Sequence, residues 1–169
     1  MAPAGDFESL MAAIQGGANA VYFGVGKLNM RSGSAKNFTA EDLPEVSSIC
    51  REAGVKAYLT LNIVLYDKEL ELVEDLVKKA KEAQISAIIA ADPAAISIIC
   101  KNGVPLHLST QANISNVESV RFYAKFADVM VLARELSLEQ IADICQTIEN
   151  QQIVGPSGKL VSIETFVHG

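Results

Sequence analysis

The chain has 169 residues, half of them hydrophobic, enough for one domain with a sizeable core. A formal net charge of −6 and a pI near 4.9 exclude a protein that grips nucleic acid by bulk positive charge, though not one with a local basic patch. Apolar runs such as Ala87 to Ala91 are far too short to cross a membrane and no secretory leader opens the chain, so a soluble cytoplasmic protein without a membrane partner is expected.

In chain order, Ala2 to Gly5 is a strand stub whose beginning is expected to be missing. Asp6 caps a helix carrying Phe7, Leu10, Met11 and Ile14, which Gly16-Gly17 stops. Ala20 to Phe23 is the next strand, and Thr39 caps a helix running to about Ala53, with Gly54 as its stop. Lys56 to Leu61 is a strand. The charged helix from about Lys68 to Ala83 follows, with Leu70, Val73, Leu76, Val77 and Ala80 on its buried stripe.

Ala87 to Ala91 is a short buried strand, and Asp92-Pro93 starts a helix that Gly103 ends. Leu106 to Ser109 is a strand. Ser115 with Glu118 forms a capping box for a helix holding Val117, Val120 and Ala124. Asp128 to Leu132 is a strand, Ser137 with Gln140 is a second box, and Ile141, Cys145 and Ile148 form the stripe of the helix that it opens. A turn-rich stretch from Glu149 to Lys159 leads to a last strand, Leu160 to Val167.

About seven parallel strands, the first truncated, alternate with helices, which predicts an incomplete (β/α)8 TIM-type barrel of class α/β. An open doubly wound sheet shares the same local pattern. The expected organisation is a single domain over residues 1–169, the N-terminal barrel portion of a larger protein. Open barrel edges then predict self-association of the segment by itself.

Alternation places Tyr58, Thr60 and Asn62 on one face, then His107, Ser109 and Gln111, and finally Ser162, Glu164, Phe166 and His168. A polar wall inside a barrel is costly unless a ligand, water or its own members satisfy it, so the wall marks a site. Positions at strand ends and following loops are Asp6, Asn29, Arg31, Asn62, Asp92, Ser109, Gln111, Asn113, Arg134, Glu135, Glu164 and His168. Arg134 offers a planar fork for a carboxylate or phosphate. Glu164 points inward and needs a partner, which Arg134 or His107 would supply, and His168 at the mouth suits proton transfer near neutral pH. A structural tie between Glu164 and Arg134, and packing histidines, are the plainer alternatives. The loop Gly24 to Phe38 resembles an anion-binding flap, with a solvated basic loop as the plainer alternative and Arg31 the residue exempted from it; GVGKLN is not a Walker phosphate loop.

Cys50, Cys100 and Cys145 are odd in number, widely spaced and on predicted apolar stripes, so buried inert thiols are expected. With two histidines and no HExxH or GxSxG, neither a self-contained zinc site nor a serine-elbow hydrolase is indicated, and no metal ligands are assigned.

The segments APAGDFESL, GANAVYFG, LNIVLYD, HLSTQANISN, LARELSLEQI and ETFVHG together resemble the collagenase-like peptidase family U32, of unknown catalytic type. The resemblance covers essentially the whole chain. It implies a barrel from an oxygen-independent hydroxylase that acts on ribosomal RNA, transfer RNA or a quinone precursor. The RNA-modifying members draw on prephenate. It implies an iron–sulfur cluster held by cysteines beyond Gly169, and not by Cys50, Cys100 or Cys145. From the polar wall and strand ends, catalytic roles are expected for Glu164, His168 and Arg134, and ligand contacts for Asn29, Arg31, Asn62, Asp92, Ser109, Gln111 and Asn113. The implied partners are a small polyanion resembling prephenate and RNA. A peptidase, as the family is named, is the second expectation, and a non-catalytic scaffold paired with a cluster-bearing partner is the third.

Overall fold

Side-chain caps and left-handed stops set where the helices begin and end. The structure, a computed structural model, describes residues 1–26, 28 and 38–167. Helix α1 (Phe7–Gln15) starts on Asp6, whose Oδ1 accepts from the Ser9 amide at 2.8 Å. A box between Thr39 and Asp42 leads into α2 (Leu43–Glu52). Helix α3 is Leu70–Glu82, and α4 (Pro93–Asn102) begins on Asp92. Helix α5 (Val117–Tyr123) begins on Asn116, and α6 (Leu138–Asn150) on the expected Ser137–Gln140 box. The cap of α5 corrects the sequence reading: Asn116 Oδ1, not Ser115, accepts from the Ser119 amide, because the chain enters that helix one residue later.

Two helices stop on a residue with positive φ that is not glycine: Gln84 after α3 and Gln152 after α6. That conformation strains an L-residue and has to be held by its surroundings. For Gln84 the holders come from one face of α2. Arg51 donates to its Oε1 at 2.8 Å and Ser47 Oγ donates to its carbonyl at 3.4 Å.

The chain divides into two compact units, Met1–Val104 and Pro105–Gly169. In the first, β1 (Ala2–Pro3), β2 (Ala20–Gly24), β3 (Lys56–Leu61) and β4 (Ala87–Ala90) pair in chain order, all parallel. Register aligns Tyr22 with Tyr58 and Tyr58 with Ala87, so these three leave one face together. Ala20, Tyr22, Tyr58, Ala87 and Ile89 pack as a small cluster on that face. The other face carries Phe23, Leu59 and Ile88, and it meets the helices: Phe38 stacks edge-on with Phe23 at 5.4 Å and with Phe7 of α1 at 5.1 Å. Fully burying each such side chain is worth about 1.5–3 kcal/mol.

In the second unit β5 (Leu106–Leu108), β6 (Val129–Val131) and β7 (Ser162–Glu164) also pair parallel and in chain order. Neither unit shows the reversal of strand order that a doubly wound sheet requires. The last strand is shorter than expected. Leu160 forms an antiparallel bridge to Val154 and so closes a hairpin instead of extending β7. Asp128 Oδ1 ties that hairpin, accepting from Ser157 Oγ at 2.7 Å and from the Ser157 amide at 3.1 Å.

Other differences concern side-chain burial. Helix α6 buries Ile144 and Ile148, with Ile141 and Cys145 at the edge of the stripe. Cys50 is buried as expected and Cys100 is exposed, because α4 covers the core with Ala95, Ile96 and Ile99 instead. No helix among the described residues is long and apolar enough to cross a membrane.

Gly155 lies under the same hairpin. A Cβ there would collide with Asp128 Oδ1, and would lie 2.9 Å from the Asp128 Cα and 3.0 Å from the Ala127 carbonyl oxygen. Backbone atoms cannot give way as a side-chain tip can. Gly155→Ala should therefore lower unfolding stability by about 1–3 kcal/mol in urea titrations, whereas Gly158→Ala meets no atom and carries only its φ strain.

Candidate functional site

Register fixes the composition of one face of the second unit. His107 aligns with Val129 and Val129 with Ser162, while Val131 aligns with Glu164. By alternation His107, Ser109, Ser162 and Glu164 therefore leave the same side of the three strands, and Leu108, Met130 and Ile163 leave the other. His107 and Ser109 are buried, and Glu164 is half-buried with its Oε2 shielded from solvent. A buried imidazole, a hydroxyl and a carboxylate thus share a polar face of one short sheet.

The strand ends above this face are held by a small backbone network. The Leu132 amide donates to the Glu164 carbonyl at 3.1 Å, and the Ala133 amide to the Ile114 carbonyl at 2.9 Å. Thr110 Oγ1 donates to the Leu132 carbonyl at 3.3 Å. Arg134 follows directly. Its guanidinium lies over the Phe166 ring, 6.0 Å from the centroid, and among the described residues no carboxylate reaches it as an ion pair. Among the described residues the simple Glu164–Arg134 tie is therefore absent, and Arg134 is an exposed cation.

The remaining sequence-chosen residues divide by what their polar atoms do. Ser109 Oγ hydrogen-bonds Gln111 Oε1, so the hydroxyl is not paired with an imidazole. Asn113 adopts positive φ at the end of a short turn, and its exposed side chain sits on the β5–α5 connection. Asn62, half-buried, follows β3 in the first unit. The Asp92 carboxylate is taken up by backbone: Oδ1 accepts from the amides of Ala94 at 2.8 Å and Ala95 at 3.4 Å, and Oδ2 from the Leu65 amide at 3.2 Å. Asp6 is likewise a cap. Glu135 is exposed. Asn29, Arg31 and His168, with most of the Gly24–Phe38 flap, lie outside the described residues.

Two features were missed in the sequence. Phe166 is the ring beneath Arg134, whereas alternation places it on the inward wall with Glu164 and gives it no role there. A surface groove of about 340 Å3 is lined by Arg121, Lys125, Gln151 and Gln152, at the end of the second unit where β6 and β7 begin. Lys125 lies 5.9 Å from the Phe122 ring centroid, and Arg121 pairs with Glu118 at 3.2 Å. The signal was two basic residues four apart, Arg121 in the last turn of α5 and Lys125 just past its Ala124 cap.

An iron–sulfur cluster needs several converging thiolates. Cys50, Cys100 and Cys145 sit on three different helices, and among the described residues no three Cys, His, Asp or Glu side chains could hold a metal. Burial pushes the Cys50 thiol up, and partial desolvation raises that of the otherwise exposed Cys100, which disfavours the ligating thiolate. The residues present do not fit a cluster.

The sequence profile of peptidase family U32 matches residues 5–169. A protein of Porphyromonas gingivalis strain W83 named collagenase is 56% identical over the whole chain, which covers 41% of that protein. Bacillus subtilis tRNA hydroxylation protein P1 is 35% identical, again over the whole chain, which covers 38% of it. The chain thus spans about two-fifths of the length of these curated relatives. The solved structure of the U32 peptidase Mk0906 superposes with a TM-score of 0.70 over 97% of the chain and 65% of that protein, at 12% identity. That likeness bears out the fold class, an incomplete α/β barrel.

Two outcomes follow from these placements. Asp92→Ala removes a cap and a loop tie together and should cost about 1–2 kcal/mol of stability in chemical denaturation. Cys50 has its folded pKa raised, so its contribution is complete below the unfolded value of about 8.5 and is lost as pH rises through the folded value. The melting temperature should accordingly fall more steeply between pH 8 and pH 10 in the parent protein than in Cys50→Ala.

Proposed function

The chain belongs to peptidase family U32, and from that premise we propose that it is the barrel segment of an enzyme that hydroxylates a base in transfer RNA. The observation that carries this reading is Arg134, an exposed guanidinium with no carboxylate partner among the described residues, held at the strand ends beside the His107–Ser109–Glu164 face. Such a fork suits the carboxylates of a small dianion. Prephenate, which the resemblance implies for RNA-modifying members, is a ligand of that class.

In this reading Arg134 binds and orients the dianion. Glu164 and His107 accept or donate protons at their carboxylate and imidazole atoms, and burial shields His107 and Ser109 from bulk water. An iron–sulfur cluster would supply electron-transfer chemistry, and its ligands would come from cysteines outside this segment. In the groove Lys125 gives an acidic chain a local cation suited to an RNA phosphate, while Arg121 is already paired with Glu118.

The second reading is a peptidase, favoured by the 56% identity to a protein named collagenase. The site's chemistry supports it less. Ser109 donates to an amide oxygen instead of a base, and Cys50 is buried with its thiol pushed up.

The test is a nucleoside digest of transfer RNA from cells lacking the gene, followed by mass spectrometry. A hydroxylated nucleoside should vanish, return with the full-length protein, and drop at least tenfold with Arg134→Gln. An unchanged nucleoside profile, together with collagen or gelatin cleavage by purified full-length protein, would establish the peptidase instead.

A further inference from the structure

We propose that Phe166 is a positioning residue for Arg134: its ring fixes the guanidinium so that the N–H fork is presented to an anionic ligand at the strand ends. This deepens the reading of Arg134 as the anion-binding group and rests on it. Three observations meet at the pair. First, the backbone leading into Arg134 is pinned from both sides, by the Leu132 amide on the Glu164 carbonyl at 3.1 Å and the Ala133 amide on the Ile114 carbonyl at 2.9 Å. Thr110 Oγ1 adds a third tie at the Leu132 carbonyl.

Second, the strand that accepts the first of these bonds also delivers the ring. Phe166 lies two residues beyond Glu164, the last residue of β7. The tie that fixes the base of Arg134 and the ring that receives its tip therefore come from the same short stretch. Third, Phe166 is 51% exposed, which is hard to justify by packing alone, and among the described residues Arg134 is its cationic partner.

The chemistry explains why a ring serves here better than a carboxylate. An arginine side chain has large rotamer freedom, and a group that orders it in advance spares the ligand that cost. A carboxylate would order it by consuming the N–H donors and cancelling the charge. A ring attracts the cation through its face and uses none of the five donors. The fork stays charged and available.

The measurement is calorimetric binding of malonate, and separately of inorganic phosphate, to the full-length protein. Phe166→Leu should weaken binding about two- to fivefold, and Phe166→Tyr should restore it. In an Arg134→Gln background, Phe166→Leu should have no further effect. A second readout needs no ligand and no variant that might unfold: the Arg134 side-chain protons should show an upfield ring-current shift in NMR spectra of the parent protein. Unchanged affinity in Phe166→Leu, an equal loss in both backgrounds, absence of anion binding by the parent, or absence of the ring-current shift would each overturn the proposal. Retained transfer RNA hydroxylation in the gene deletion would instead sink the hydroxylase reading, and would leave a ring-dependent anion site standing.

Discussion

Side chains that are in register across parallel strands leave the sheet on the same side, and the second unit depends on that rule. His107, Val129 and Ser162 align, Val131 and Glu164 align two residues on, and the polar face exists because those registers hold. What pins the register lies on the opposite face. Leu108 and Met130 are fully buried there, and a slip by one residue would turn both to the polar side. At about 1.5–3 kcal/mol for each apolar side chain, that slip costs a large part of a small domain's stability. The apolar face thus determines where the titratable groups point.

Polar residues near strand ends are not equivalent, and the hydrogen bonds divide them. Asp6, Asp92 and Asp128 are carboxylates committed to backbone amides. Thr60 donates to the Phe23 carbonyl at 2.9 Å and so ties β3 to β2. Arg134 differs because its contact is with a ring, which leaves its charge uncompensated by any described carboxylate. Where a polar group's capacity is used up by the fold, its conversion to another residue is a stability matter. Where it is left over, recognition becomes the natural explanation.

Much of this was legible in the sequence, for reasons that can be named. Lys56–Leu61 emerges unaltered because a strand with alternating faces between a glycine stop and a polar loop has few other solutions. Asp6, Asp92 and the Ser137–Gln140 box are local signals that need nothing distant. The failures lie where tertiary structure decides. Gln84 and Gln152 stop helices without glycine, and for Gln84 the help comes from Arg51 and Ser47 on another helix. Leu160 reads as strand, yet it pairs with Val154 because Asp128 organises the intervening turn. Phe166 looked like one more residue of β7, and its partner is remote in sequence. For Asp92, nothing local distinguished a ligand contact from a cap that also serves Leu65.

Asp92 has a mechanical consequence of its own. One oxygen holds the first turn of α4 and the other holds the Leu65 amide in the connection after β3. A displacement of that connection by even an ångström would pull on the carboxylate and loosen the opening turn of the helix. The carboxylate therefore couples the two segments, and a partner that grips the exposed Val64 or Tyr66 on that connection also loads the start of α4.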